Sequence, residues 1–258
     1  PKEITALVFL PDSKTLVSAD EDSTLKLWNA ATGKEIRTIP NDGPQLEGIP
    51  FLTAPPDGKQ VIAWLAKSEI GTFTVADGKL TASRDLGDRS NIKCLTISAD
   101  GVTTAVGHTD GVVRLWDIAA KQKERLGEDL KAHEKEIMDL ALTPDKKTLV
   151  TADKNGVVKV WDLARREALH TIIAHKQKIT AVAMSPDGAR FATTGADNIV
   201  KLWDRATGKE LRQWDLHMPV LTGNGELRAF VNTLAFTPDG KHLATGNTDA
   251  TLYLLDCP

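Results

Sequence analysis

One phrase recurs along this chain and constrains its fold more than any other feature. It reads N-I-V-K-L-W-D-R-A-T-G-K-E at 198–210, a short apolar strand that ends in Trp203-Asp204 and is followed by a turn. Similar text occurs at 23–35, 111–117 and 156–162, and degraded copies occur at 70–79 and 251–256. The tryptophan or its replacement falls at positions 28, 73, 116, 161, 203 and 255. A spacing of this length between short strands indicates a repeat architecture.

A second marker, a turn of the Pro-Asp-Gly type, runs in step with the first. It lies at 11–14, 56–59, 99–101, 144–147, 186–188 and 238–241. Pro presets φ at the first corner, Asp bonds its own backbone, and Gly takes the positive-φ position. Apolar strands precede and follow each turn, so each unit contains four short strands. With no amphipathic helical pattern between them, the sequence predicts an all-β fold.

The first strand of each unit is apolar almost throughout, which suits a sheet covered on both faces. A lone four-stranded meander exposes both faces, so the units must stack, and radial stacking into a β-propeller leaves only short edges. Superhelical stacking rarely uses four-stranded repeats. The sequence therefore predicts one β-propeller domain over 1–258, built of four-stranded antiparallel blades. The repeats are expected at about 1–45, 46–90, 91–134, 135–177, 178–228 and 229–258.

The two ends of the chain leave the number of blades open. The sixth repeat has no fourth strand in the sequence, and Pro1 is not a natural start without processing. Six blades with incomplete closure is one interpretation. The other is a seventh blade upstream in a longer polypeptide.

Charge and composition exclude several classes of partner. The net charge is −3 and no basic block occurs, so neither nucleic acid nor an anionic membrane is an expected partner. No apolar run is long enough for membrane insertion. The two cysteines, Cys94 and Cys257, make no disulfide framework, which is compatible with a reducing, cytoplasmic location and leaves the compartment open.

The repeats resemble the WD-repeat β-propeller family over essentially the whole chain. That family carries a His before the first strand, Ser or Thr in the second, Asp in the next turn and Trp-Asp in the third. The matching residues are His175, Thr193, Asp197 and Trp203 in repeat five; His133, Thr151, Asn155 and Trp161 in repeat four; Ser18, Asp22 and Trp28 in repeat one; Asp110 and Trp116 in repeat three; and Thr245 and Asp249 in repeat six. Repeat three has Val106 in place of the hydroxyl residue, and repeat two keeps none of the set.

The resemblance implies that these residues form a buried hydrogen-bond relay, from His to Asp and from the hydroxyl to the Trp indole. A Trp N–H is only a donor and needs a partner when it is buried. Because the set recurs at the period of the fold, the expected role is structural and not catalytic.

No other constellation indicates an enzyme, a cofactor or a metal. His133-Glu134 begins like a zinc motif, but position 137 is Ile. The acidic triplet 20–22 lacks the spacing of a calcium loop. Phosphate-binding loops and nucleophile elbows are absent from the sequence.

The resemblance implies a non-catalytic scaffold for protein or peptide partners. By position, the candidate binding residues before each turn are Glu21, Thr109, Lys154, Ala196 and Thr248, and those at the start of each first strand are Glu3, Asn91, Glu136, Lys178 and Phe230. An insertion at 216–228 lies beside Phe230 and is either a tolerated surface loop or a recognition loop.

An alternative function stays open at this point, because a propeller can also bind a small ligand or metal in its central channel, with or without catalysis. The regular repeats are similar to those of bacterial WD-repeat proteins, in which the propeller is often fused to a signalling or redox domain. A fused upstream domain is therefore a further expectation.

Overall fold

A computed structural model describes residues 4–12, 14–20, 24–29, 31–39, 51–55, 57–66, 69–85, 91–98, 100–118, 124–216, 231–237, 239–247 and 252–257 of the 258-residue chain. Within these ranges the chain forms strands and turns and no helix, so no described helix could span a membrane. The chain divides into two compact units. Unit 1 comprises 1–92, 99–104 and 116–126, and unit 2 comprises 93–98, 105–115 and 127–258.

The strands form six antiparallel sheets, here called blades one to six in chain order. Blade one contains β1 (Ile4–Phe9), β2 (Thr15–Asp20), β3 (Leu25–Asn29) and β4 (Glu35–Ile39). Blade two contains β5 (Leu52–Thr53), β6 (Gln60–Ala66), β7 (Glu69–Thr74) and β8 (Leu80–Asp85). Blade three contains β9 (Ile92–Ile97), β10 (Thr103–His108), β11 (Val112–Asp117), β12 (Glu124–Arg125) and β13 (Leu130–Lys131).

The remaining three blades continue the same order. Blade four contains β14 (Ile137–Leu142), β15 (Thr148–Asp153), β16 (Val157–Asp162) and β17 (Glu167–Ile173). Blade five contains β18 (Ile179–Met184), β19 (Arg190–Gly195), β20 (Ile199–Asp204) and β21 (Glu210–Asp215). Blade six contains β22 (Val231–Phe236), β23 (His242–Asn247) and β24 (Leu252–Asp256).

The predicted fold class, an all-β propeller of antiparallel blades, is confirmed. Blades one, two, four and five are four-stranded meanders in chain order. In blade three the fourth strand is broken into β12 and β13, which both pair with β11. In blade six the described residues form three strands, as the sequence indicates.

A β-bulge recurs at the same place in four first strands. The register shifts between the first and third residues of the strand, at Ile4/Ala6, Ile137/Asp139, Ile179/Ala181 and Val231/Thr233. A bulge bends the strand, increases its twist and re-aims the side chain beside it. Each first strand is therefore shaped in the same way at its beginning.

The core lies between neighbouring blades. Phe191 and Trp203 of blade five pack with Val158 and Val160 of blade four, and all four are buried. The two rings are stacked, with centroids 6.1 Å apart. Blades five and six share a second cluster around Leu202 and Leu243, and in unit 1 blades one and two share a third around Val17 and Val61. These clusters remove apolar side chains from water, which is the reason that the sequence predicted stacked sheets.

One glycine fixes the chain that joins blade four to blade five. Gly156 has φ +82°, and a Cβ atom there would lie 2.2 Å from the carbonyl oxygen of His175. The carbonyl of Gly156 accepts the N–H groups of Ala174 and His175, at 2.9 and 3.1 Å. The backbone of His175 is therefore held by the turn of the preceding blade before its side chain makes any contact.

Candidate functional site

The relay in blade five joins four side chains in sequence. His175 Nδ1 lies 3.0 Å from Asp197 Oδ1, and His175 Nε2 lies 2.8 Å from Thr193 Oγ1. Trp203 Nε1 donates to the same hydroxyl at 2.9 Å. The structure thus brings together the four residues that the family pattern selects in repeat five. The arrangement connects the loop before β18 with β19, β20 and the turn between them.

Blade four has the same relay, but its carboxylate comes from another position. His133 Nε2 lies 2.8 Å from Thr151 Oγ1, and Trp161 Nε1 donates to that hydroxyl at 3.0 Å. The partner of His133 Nδ1 is Asp153 Oδ2, at 3.2 Å, and not the predicted Asn155. Asp153 ends β15, and its Oδ1 also accepts the N–H of Asn155 at 2.8 Å. The assignment of Asn155 to the relay is therefore corrected.

Packing explains why the two blades differ. Gly195 of blade five occupies the position of Asp153, and a Cβ atom there would lie 3.0 Å from Asp197 Oδ1 and 3.0 Å from His175 Cγ. Only one of the two positions can present a side chain to the histidine. Each blade therefore supplies one carboxylate, from the strand end or from the turn. The Asp at the strand end gives a sequence signal, because Thr-Ala-Asp at 151–153 matches Ser-Ala-Asp at 18–20.

Both relay histidines are held neutral. Burial lowers the pKa of His175 and of His133, and this outweighs the opposing effect of Asp197 and Asp153 respectively. The network assigns the tautomer: the hydroxyl that receives the Trp N–H gives its own proton to Nε2, and Nδ1–H faces the carboxylate. A protonated imidazole would leave the hydroxyl proton without that acceptor, which agrees with the lowered pKa.

Blades one and three keep parts of the relay. In blade one Trp28 Nε1 donates to Ser18 Oγ at 2.9 Å, whereas Asp22 lies outside the described residues. In blade three Trp116 Nε1 is buried without a partner among the described residues, as expected from Val106. Asp110 accepts the N–H of Val112 at 3.1 Å and so stabilises its own turn.

Blade six has no tryptophan for a relay. Thr245 Oγ1 instead accepts the backbone N–H of Tyr253 at 3.3 Å. Asp249 lies outside the described residues.

The structure brings two of the predicted binding residues together in blade four. Glu136 precedes β14, Lys154 follows β15, and the N–H of Lys154 donates to the carbonyl of Glu136 at 3.0 Å. Glu136 also forms ion pairs with Lys154 at 3.2 Å and with Lys93 at 3.3 Å. The hydrogen bond from Lys154, with the neighbouring Lys93, holds the pKa of Glu136 below its ordinary value. Lys93 was not a predicted site residue, and only its position near the start of β9 could have indicated it.

Blade five repeats this backbone geometry. The N–H of Ala196 donates to the carbonyl of Lys178 at 2.9 Å, so the residue before the turn again adjoins the start of the first strand. Lys178 is exposed, as are Thr109 and Asn91 of blade three. The candidates Glu3, Glu21, Phe230 and Thr248, and all but Leu216 of the 216–228 insertion, lie outside the described residues.

Sequence reasoning missed Asp139, a carboxylate that bridges blades four and five. Its Oδ2 accepts the N–H of Val182 at 2.7 Å, and its Oδ1 accepts the N–H of Leu140 at 2.9 Å. Removal from bulk water raises the pKa of Asp139 to about 6, although the two N–H donors oppose that shift. Within the described residues, no group of three or more His, Cys, Asp or Glu side chains could hold a metal ion.

Antiparallel four-stranded blades, two of which contain a complete His–carboxylate–hydroxyl–Trp relay, are typical of WD-repeat propellers. Comparison with known families agrees: residues 1–29, 166–204 and 218–256 match the WD40 family (WD domain, G-beta repeat), and residues 78–172 match the Vps8 beta-propeller. The chain is therefore a β-propeller that carries WD40 repeats.

One curated relative of this chain is a much larger protein. The chain is 31% identical over 115 residues to "Telomerase protein component 1" of Rattus norvegicus. The aligned region is 44% of this chain and 4% of that protein. The similarity is therefore to a small part of the relative.

Proposed function

We propose that this propeller is a non-catalytic platform that binds protein or peptide partners. WD40 propellers are generally protein-interaction scaffolds, and the relative named above contains a similar stretch of sequence within a far longer chain. The proposed contact surface is the charged surface formed by Lys93, Glu136, Lys154 and Lys178. The observation that carries the proposal is the pairing of each turn with the start of its first strand in blades four and five.

That pairing favours recognition because it fixes exposed charges on a rigid backbone. The side chain of Lys154 is 59% exposed, that of Lys93 39%, and that of Glu136 between them 20%. Their ion pairs contribute little to stability, because exposed pairs are worth about 0–1 kcal/mol. Charges that are ordered and solvent-accessible are well suited to steering a partner and to discriminating between partners.

The buried relays support a non-catalytic role. The histidines, hydroxyls and indoles of blades four and five bond to one another, and His133 and His175 have almost no exposed side chain. A side chain that is buried and already bonded to its neighbours is not presented to a substrate. Their chemistry is therefore used to hold the strands together.

The test begins with the protein purified gently from its own source and weighed intact by native mass spectrometry. A partner that co-purifies in fixed ratio is then titrated against wild type and against the triple variant Glu136→Ala, Lys154→Ala, Lys178→Ala. We expect the triple variant to bind at least about tenfold more weakly, because it removes the charges that face the partner. Its Tm should be nearly unchanged, because the ion pairs that it removes contribute little to stability.

A matched control removes an exposed ion pair elsewhere, Lys26–Glu35 of blade one, in which Nζ and Oε2 lie 3.2 Å apart. The control variant should bind as wild type does. Equal affinity of wild type and the triple variant would exclude the charged surface as the contact site. A wild-type protein that carries no macromolecular partner would contradict the platform function itself.

A further inference from the structure

A cleft of about 670 Å³ opens within unit 1, beside the turn that joins β9 to β10. Its floor is apolar and includes the buried side chains of Ile62 and Ile118. Among the residues that the structure describes, its polar lining comprises Asp57, Gln60, Thr72, Thr81 and Asp100, and includes no lysine or arginine. The cleft therefore combines an apolar floor with two carboxylates.

The corresponding place between blades four and five is occupied by an arginine of the chain itself. Arg205 lies two residues after Trp203, and its Nε donates to the carbonyl of Gly188 at 2.6 Å. Its Nη1 donates to Thr148 Oγ1 at 3.1 Å. The Thr143 hydroxyl, the N–H of Lys147 and the nearby charge of Arg205 hold the pKa of Asp145 below its ordinary value.

At the junction of blades five and six, a second arginine donates to the turn carbonyl that is equivalent to that of Gly188. Arg190 comes from the other side of the junction, and its Nη2 donates to the carbonyl of Gly240 at 3.0 Å. Gly240 occupies the same position in the turn of blade six as Gly188 does in the turn of blade five, and their φ angles are +67° and +68° respectively. The turn carbonyl therefore receives a guanidinium at both junctions.

The cleft in unit 1 keeps the acceptors of this arrangement but lacks the arginine. The repeat alignment pairs Asp57 with Asp145, Gln60 with Thr148, Gly101 with Gly188, Ala82 with His170 and Ile118 with Arg205. The carbonyl of Gly101 accepts no hydrogen bond from any residue that the structure describes. Asp57 uses one oxygen, Oδ1, to accept the N–H of Lys59 at 3.0 Å.

We propose that this cleft binds the guanidinium of an arginine side chain presented by a partner protein. The proposal rests on the platform function above and names a second contact surface for it. The guanidinium would occupy the place of Arg205, near the carbonyl of Gly101, Gln60 and the carboxylate of Asp57. A guanidinium is planar and carries several N–H donors that point in fixed, different directions. It therefore suits several acceptors around one site better than an ammonium group does. The apolar floor suits the methylene stem of the arginine and a neighbouring apolar residue.

The test is an NMR titration of the ¹⁵N-labelled protein with three peptides, acetyl-Ala-Leu-Arg-Ala-amide and its lysine and citrulline versions. Citrulline keeps the shape of arginine without its charge. We expect the arginine peptide to shift the amides of 57–62 and 100–102 and to bind about tenfold more tightly than the citrulline peptide, because its hydrogen bonds are charge-assisted. Equal affinities of the arginine and citrulline peptides, or amide shifts confined to residues outside 57–62 and 100–102, would overturn the proposal.

Matched variants locate the site. Asp57→Asn keeps the oxygen that accepts from Lys59 and removes the charge, so it should weaken the arginine peptide about tenfold. Asp145→Asn is the control and should leave the affinity unchanged, because Arg205 already fills that junction. An effect of equal size in both variants would contradict the assignment.

Two exchanges test the equivalence of the junctions directly. Ile118→Arg should fill the cleft with the chain's own guanidinium and abolish peptide binding. Arg205→Ile should create a second set of shifts, at 145–148 and 187–189. Retained binding in a folded Ile118→Arg variant would overturn the proposal. These peptide measurements do not involve Glu136, Lys154 or Lys178, so they can fail while the charged surface still binds its partner, and the reverse also holds.

Discussion

At the scale of single residues, one carboxylate holds each relay histidine, and the repeats supply it from two positions. Asp153 occupies the end of a strand, whereas Asp197 lies in the turn two residues further along its own repeat. The histidine geometry is the same in both, with Nδ1 to oxygen distances of 3.2 and 3.0 Å. The relay therefore depends on the location of a charge and not on a fixed sequence position.

A pair of substitutions in blade four tests this assignment. Asp153→Ala should lower the free energy of unfolding by about 2–4 kcal/mol, because it leaves the buried Nδ1–H of His133 and two turn N–H groups without their acceptor. Asn155→Ala changes an exposed side chain and should stay within about 0.5 kcal/mol of wild type. Urea denaturation of both variants gives the comparison. A larger loss for Asn155→Ala would restore the role that the sequence pattern gives it.

The sequence predicted the repeat period, the strand order and the fold class, because short strands and turns are local and recur six times. It assigned Asn155 to the relay of His133, and this was wrong, because the family pattern takes the partner from the turn whereas Asp153 at the end of β15 reaches the histidine. The arginine at the junction of blades four and five also could not be predicted. Its contacts join Arg205 to Thr148 and Gly188, which no periodic pattern links.

At the scale of elements, turns position the blades through backbone contacts. Gly156→Ala should lower the free energy of unfolding by more than about 3 kcal/mol, since φ is +82° and the added Cβ would meet the carbonyl of His175. The matched change is Asn198→Gly, at the same turn position of blade five, where φ is +63°. That variant should lie within about 1 kcal/mol of wild type. Similar losses from both changes would show that the close carbonyl is not the cause.

Asp139 connects β14 to β18. Its effect on stability in acid is opposite to that of the two relay histidines. A histidine whose native pKa lies below the unfolded value of about 6.5 is less protonated in the native state than in the unfolded chain. The contribution of His133 and His175 is therefore complete above about pH 6.5 and falls as the pH falls below it. For Asp139 the native pKa of about 6 exceeds the ordinary 3.8, so the native state binds the extra proton and gains stability as the pH falls through 6.

The variant Asp139→Asn separates these two effects. The variant cannot gain stability by protonation of residue 139 as the pH falls. Its free energy of unfolding should therefore fall more steeply than that of wild type between pH 7 and 5, by up to about 1 kcal/mol per pH unit. Urea denaturation at intervals of half a pH unit measures both slopes, and the other titrating groups are common to the two proteins. Parallel curves would mean that Asp139 is already ionised throughout this range.

At the scale of the whole molecule, blades of unequal completeness should differ in local stability. Repeat architectures gain stability from each unit and from its contacts with its neighbours. Blades four and five have complete relays and a shared buried cluster around Phe191 and Trp203. Blade two has Phe73 in place of the tryptophan, and in blade six the described part of the chain leaves β24 at the edge, with Leu254 57% exposed.

Hydrogen exchange measured by mass spectrometry should therefore rank the sheets. Amides of β15, β16, β19 and β20 should exchange slowest, and those of β7 and β24 at least about tenfold faster, because strands with fewer buried contacts open at lower free energy. Thr193→Val removes the hydroxyl that joins His175 to Trp203 and should speed exchange most in blade five, then in blades four and six. Uniform protection of all six sheets, or a uniform response to Thr193→Val, would show that the protein opens as a single cooperative unit, in which an incomplete relay in one blade is compensated by all the others.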